Sequence, residues 1–147
     1  MIHINRSGKL KLRDEQVTIE LAHNIAPLLK RGDAVLLYGP LGSGKTFFTK
    51  YLCQSLGINE IVNSPSFVLI NRYQAADFPV YHIDLYRLNS KEEALQLGIE
   101  EMSEEGLLII EWPQKIEHLF GGDITSRKVV RLYFDYNEEN RTVSWKY

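Results

Sequence analysis

Apolar positions recur along this chain with two different periods. Val17, Leu21, Ile25, Leu28 and Leu29 fall at helical spacing, with Asp14 placed as an N-cap and Gly32 just past the end. Ala34–Tyr38 is an apolar run of strand length, and the segment 45–56 suits a helix that stops near Gly57. Residues 67–73 and 80–86 read as two strands joined by a polar turn over 74–79, hence as an antiparallel pair. Ser90 and Glu93 have capping-box spacing and Gly98 can end a helix, so a short helix is expected between them. Leu107-Leu108-Ile109-Ile110 is apolar throughout, the mark of a central strand buried on both faces. Pro113 suits the first turn of another helix, and 129–134 and 142–146 read as strands around a turn at 136–141. Strands alternating with helices predict a layered α/β fold. The hairpins make its sheet mixed, mostly parallel, with helices on its faces. No repeat, low-complexity tract or long linker interrupts the pattern, so 1–147 is expected to form a single domain.

Composition narrows the class. At 147 residues with 44% hydrophobic and 24% charged positions, the chain can bury a sizeable core in water. A net charge of −2 argues mildly against independent nucleic-acid binding, although Arg127-Lys128 with Arg131 could form a local basic patch. The single cysteine, Cys53, allows no internal disulfide and sits where a small buried hydrophobe is expected. No apolar run approaches the ~18 residues of a membrane span, and Met1-Ile2-His3-Ile4-Asn5 lacks a signal-peptide core. The expected location is cytoplasmic.

The chemistry is concentrated in Gly39-Pro40-Leu41-Gly42-Ser43-Gly44-Lys45-Thr46, which fits G-x-x-x-x-G-K-[ST] between a strand and a helix. Glycines let the backbone curl so that N–H groups face an anion, and the following helix aims its positive end at the same place. Lys45 can reach β- and γ-phosphates, and the Thr46 hydroxyl can bind Mg²⁺. Hydrolysis needs more: a metal ligand and a group that orients the attacking water. Glu111 ends the apolar run 107–110, where it is either a solvent-facing acid or a metal-holding one. Asp84 follows Val80-Tyr81-His82-Ile83 and poses the same choice. His82, two residues earlier, shares a strand face with Asp84, and a hydrogen-bonded structural role suits it better than catalysis. Trp112 reads as packing. The hydroxyl-bearing loop Asn63-Ser64-Pro65-Ser66-Phe67 is either a phosphate-sensing switch or a plain turn.

Taken together, these blocks resemble the TsaE family, small ATPases of bacterial tRNA threonylcarbamoyladenosine synthesis. The carriers are residues 39–46, Ser64-Pro65-Ser66-Phe67, Tyr81-His82-Ile83-Asp84-Leu85-Tyr86-Arg87-Leu88, Leu97-Gly98 and Ile110-Glu111-Trp112-Pro113. They run over roughly half the chain in family order. Pro40 stands where an acid or amide is usual, Ser43 where Ala is, and Ser66 where Thr is commoner. The resemblance implies a phosphate-loop α/β fold that binds ATP and Mg²⁺. It implies nucleotide contacts from Gly39, Leu41, Gly42, Ser43, Gly44, Lys45, Thr46 and Phe47, and metal contacts from Thr46 and Glu111. Lys45, Asp84 and Glu111 would be catalytic, with Ser64 and Ser66 in a loop over the γ-phosphate. Glu15 and Arg141 are candidates beside the base. The implied partners are the TsaB and TsaD proteins, with tRNA reached through that complex, and hydrolysis would reset the complex rather than carry out the transfer.

Two other classes share the phosphate loop. A small-molecule kinase would carry an Arg-rich lid over its acceptor, and none is evident. A GTPase switch would usually carry N-K-x-D, which is absent.

Overall fold

The computed structural model describes residues 2–65, 69–120 and 127–147. Seven strands form one sheet: β1 (Ser7–Lys11), β2 (Ala34–Tyr38), β3 (Ile70–Gln74), β4 (Pro79–Asp84), β5 (Leu107–Glu111), β6 (Val129–Tyr136) and β7 (Arg141–Lys146). Their spatial order is β1-β7-β6-β2-β5-β4-β3. The four central strands, β6, β2, β5 and β4, run parallel to one another. The flanking pairs β3–β4, β6–β7 and β1–β7 are antiparallel, so the mixed α/β sheet expected from the hairpins is what forms.

Four α-helices join these strands: α1 (Glu15–Ile25), α2 (Lys45–Ser55), α3 (Lys91–Leu95) and α4 (Ile99–Glu105). Helices α1 and α2 supply Leu21, Ile25, Phe48 and Leu52 to one core, against Val35, Leu37, Ile109 and Leu132 of the sheet. The opposite core sets Ala94, Ile99 and Ile116 against Leu36, Ile83, Leu108 and Ile110. The strands β2 and β5 are therefore buried on both faces, as their unbroken apolar runs require.

Several boundaries differ from expectation. Helix α1 starts under the Asp14 cap, whose Oδ1 accepts the Val17 N–H at 3.1 Å, but stops at Ile25. Pro27 has no N–H to continue the ladder, so Ala26–Leu28 tightens into a 3₁₀ turn. Gly98 is not only a stop: its left-handed backbone (φ 75°) opens α4, which the sequence pattern missed. The segment after Pro113 is 3₁₀ over Pro113–Phe120 rather than α-helical. Strand β4 ends at Asp84, because the Asp84 carboxylate captures the Tyr86 N–H at 2.9 Å and turns the chain. Strand β1 was not anticipated. The expected strand 67–73 is seen as β3 from Ile70, and Ser66, Phe67 and Val68 lie outside the described residues.

The three cations that could have formed a basic patch are each engaged within the fold. Arg127 donates to Ser103 Oγ at 3.0 Å, Lys128 Nζ to the Leu28 carbonyl at 2.7 Å, and Arg131 Nε pairs with Glu117 at 3.0 Å. These cations staple the 3₁₀ segment and the chain ends of β2 and β6 to the body, and do not form a free surface.

Candidate functional site

The register of the parallel strands brings the sequence candidates to one edge. Glu111 lies beside Leu37 on β2 and beside Asp84 on β4, so both acids sit at the C-terminal ends of adjacent strands. The phosphate loop leaves β2 at the same edge, where ligands of open α/β sheets bind. Gly39 (φ 141°) must be glycine, since a Cβ there would come within 2.5 Å of the Phe134 carbonyl oxygen. Gly44 (φ 107°) forms the left-handed entry into α2 and leaves that helix without a side-chain cap. Its first N–H groups are thus left for an anion.

A cleft of about 340 Å³ opens over this edge. Gly42, Lys45, Thr46, Asp84, Glu111 and Ser64 line it, together with Leu41, Ser43, Gly44, Phe47, Trp112 and Arg141. Ser64 is thus on the wall of the site, whereas Ser66 lies outside the described residues. A second hollow of about 390 Å³ shares Ser43, Gly44, Phe47 and Arg141 with the first and adds Glu15 and Thr18 from α1. Glu15 and Arg141 are therefore both beside the loop. Arg13 and Leu12 line the same hollow, and no motif in the sequence pointed to them.

Within the cleft the polar groups are already engaged with one another. Thr46 Oγ1 donates to Glu111 Oε1 at 3.0 Å. Fully buried His82 donates from Nε2 to Glu111 Oε2 at 2.8 Å, while its Nδ1 has no partner among the described residues. His82 is thus a hydrogen-bonded histidine, as expected, but its partner is the candidate metal ligand itself. Lys45 Nζ donates to the Gly39 carbonyl and, at 3.1 Å, to that of Pro40. The same ammonium lies 4.2 Å from the Trp112 ring centroid. Trp112 does more than pack: it holds a left-handed backbone (φ 59°), meets Tyr86 in a tilted ring contact with centroids 4.9 Å apart and forms one wall of the cleft. A second unforeseen contact ties the loop to the C-terminal hairpin, where the Tyr136 hydroxyl donates to the Leu41 carbonyl at 3.1 Å.

Burial sets the charges. Desolvation lowers the Lys45 pKa below its ordinary value, against the pull of the Glu111 and Asp84 carboxylates. Desolvation raises that of Asp84; the Tyr86 N–H opposes this, the negative charge of Glu111 adds to it, and His82 and Lys45 oppose it. Asp84 and Glu111 thus meet a cation in a partly dry cleft, where each interaction is stronger than in water.

The donor set suits a hard divalent cation held jointly by protein and phosphate oxygens. Among the described residues that line the cleft, the side chains able to ligate a metal are oxygen donors: the Ser43, Thr46 and Ser64 hydroxyls and the Asp84 and Glu111 carboxylates. Among the described residues no three His, Cys, Asp or Glu side chains group into an all-protein cage. That matches Mg²⁺, which prefers one or two protein oxygens plus phosphates and water. The buried Ser43 hydroxyl also has no partner among the described residues, as expected of a loop that awaits an anion.

Known proteins match this chain over most of its length. The family model described as "Threonylcarbamoyl adenosine biosynthesis protein TsaE" matches residues 12–143. The tRNA threonylcarbamoyladenosine biosynthesis protein TsaE of Rickettsia conorii is 47% identical over 112 residues, which cover 74% of this chain and 62% of that protein. The Bacillus subtilis protein of the same name is 39% identical over 110 residues, 74% of this chain and 68% of that one. The chain therefore spans less than two thirds of the Rickettsia conorii relative's length. The crystal structure of Bacillus subtilis YdiB superposes with a TM-score of 0.75 at 27% identity, over 98% of this chain and 87% of that one. Phosphate loop, strand-end acids and the matches over residues 12–143 agree, and the chain belongs to the TsaE family.

Proposed function

We propose that this protein is a Mg²⁺-dependent ATPase of tRNA threonylcarbamoyladenosine biosynthesis, converting ATP and water to ADP and phosphate to reset a TsaB–TsaD transferase complex between turnovers. The observation that carries the reading is the meeting of Lys45, Thr46, Asp84 and Glu111 in one cleft at the strand ends. The family's name supports the pathway. The absence of any helix long and apolar enough to cross a membrane, among the described residues, is compatible with an aqueous location such as the cytoplasm.

In this reading the backbone N–H groups of residues 42–46 and the start of α2 cradle the β- and γ-phosphates. Lys45 exchanges its bonds to the Gly39 and Pro40 carbonyls for phosphate oxygens. Thr46 and Glu111, already in contact, would hold Mg²⁺, which when bound neutralises charge on the β- and γ-oxygens. Asp84, with its proton affinity raised, would accept a hydrogen bond from a water directed at the γ-phosphorus. Glu15 and Arg141 flank the hollow that would take the base, and Ser64 and Ser66 belong to a loop that responds to the γ-phosphate. With no arginine finger evident in the sequence, turnover by the isolated protein is expected to be slow.

The test is ATP hydrolysis measured alone, then with purified TsaB–TsaD proteins and tRNA. Stimulation by the complex supports the reading. Equal rates with and without it, or phosphate delivered to a metabolite as in a small-molecule kinase, would overturn it.

A further inference from the structure

The sheet is covered unevenly. Helices α3 and α4 and the 3₁₀ segment 113–120 cover one face only as far as β2, and Arg131 of β6 is capped there by Glu117. Beyond that line no element among the described residues covers the same face of β6, β7 and β1. Register places Lys9, Ser144 and Tyr133 in one row, Lys11, Thr142 and Asp135 in the next, and Lys146 beside Arg131. Alternate residues of these strands (Leu10, Leu132, Val143, Trp145) point into the core beneath α1 and α2, which fixes the direction of the open row. Lys9, Lys11 and Lys146 are exposed, and none forms an ion pair among the described residues.

Tyr133 sits at the centre of this face with 36% of its surface exposed. Its ring stacks on Tyr38 at 4.7 Å with planes 15° apart, so it is a braced platform rather than a loose side chain. Lys146 Nζ lies over that ring, 5.8 Å from the Tyr133 centroid, so a base that stacks there takes the place of the ammonium, whose flexible stem lets it turn to the attached phosphate. A strand surface with a braced aromatic ring, exposed lysines and hydroxyls is an arrangement that binds single-stranded nucleic acid: bases stack on the ring and cations follow the backbone.

From this we infer that the open face of β1, β7 and β6 is a docking surface for a single-stranded RNA segment. Lys9, Lys11 and Lys146 contact phosphates, Tyr133 stacks one base, and Ser144 and Thr142 donate to sugar or base oxygens. Charge alone would also suit an acidic protein, and edge lysines discourage strand-to-strand aggregation. A tyrosine with 36% of its surface exposed also suits a protein interface; what selects RNA is the ring braced by Tyr38 beside three lysines, a stacking platform next to phosphate ligands. The surface also approaches the nucleotide cleft at one point, since Tyr38, on which Tyr133 stacks, directly precedes Gly39.

The test uses the whole chain and a fluorescein-labelled 12-nucleotide single-stranded RNA of mixed sequence, followed by anisotropy without nucleotide. Binding is expected at 50 mM salt, with log K falling against log salt at a slope of about −2, as three phosphate contacts on a single strand imply. The triple variant Lys9→Glu, Lys11→Glu, Lys146→Glu should abolish binding, and Tyr133→Ala should weaken it by roughly 5- to 100-fold, the loss of one stacked base. Unchanged thermal unfolding of these surface variants confirms that they fold. The inference is overturned by no binding at 50 mM salt, by binding indifferent to these variants, or by a polyglutamate peptide that binds as well and ignores Tyr133→Ala. Lys45→Ala separates this idea from the ATPase reading: it should lose hydrolysis and keep RNA.

Discussion

His82 Nε2 donates to Glu111 Oε2 at 2.8 Å, from a side chain that no solvent reaches. One carboxylate oxygen is thereby fixed, and the other is left to Thr46 at 3.0 Å. Such outer contacts orient a metal ligand, and their loss typically costs about 10- to 100-fold in activity or metal affinity. His82→Ala is expected to raise the Mg²⁺ concentration needed for hydrolysis and lower kcat by that order, with partial recovery in His82→Gln, whose amide can still donate. A variant that loses only thermal stability, with Mg²⁺ dependence intact, would reduce His82 to packing.

Glu111→Gln keeps the shape of the side chain and removes its charge. Nucleotide binding, measured by calorimetry, should persist within a few-fold, whereas hydrolysis should fall by roughly 100-fold or more, the scale of losing a principal electrostatic contact in a transition state. Chelation of the divalent cation should silence the native protein in the same way, and near-normal hydrolysis in the variant would remove Glu111 from the site.

Asp84 gives a prediction with opposite signs for function and stability. Its folded-state pKa is raised, chiefly by desolvation, so the native state holds that proton more tightly than the unfolded chain. Stability from this group is therefore present at low pH and declines as pH rises from the unfolded carboxylate range through the raised folded value. Asp84→Asn should flatten that decline and raise the melting temperature near neutrality by about 2–4 °C for each kcal/mol gained. The amide oxygen can still accept the Tyr86 N–H, while hydrolysis should collapse. A melting curve lower than the native one at pH 7 would contradict the assignment.

Cys53 is buried against α1 and the sheet, and desolvation pushes its thiol up to about 12. At pH 8 the thiolate fraction is on the order of 10⁻⁴. Iodoacetamide should leave the folded protein unlabelled over hours and modify one site per chain once denaturant is added. Fast labelling of the native protein would show that the helix opens there.

The parts legible in the sequence share one property: their signal is contiguous. The run 107–110 and the loop 39–46 each carry their own pattern, and so the central strands and the glycine-rich turn between β2 and α2 follow from local spacing. Strand β1 escaped because Gly8 and Leu10 are its only inward residues and Gly8 has no side chain, its place filled by the Trp145 ring. Helix α4 escaped because Gly98 was read as an end and not also as a beginning. The bonds of His82 and Lys45 escaped for a deeper reason. They depend on which strands lie side by side and on how the loop curls, quantities that no spacing within one segment encodes. Asp84 and Glu111 could be named singly, but that they face one another is a matter of register between β4 and β5.

The bonds from Lys45 to the carbonyls of Gly39 and Pro40 make the loop a ligand for its own lysine. Under the proposed function, an arriving phosphate would compete with these oxygens, so the affinity of the site would be a difference between two bonded states and not the sum of the bonds in one. Release of the phosphate would be helped by the same competitor, which is always present at the concentration set by its own chain.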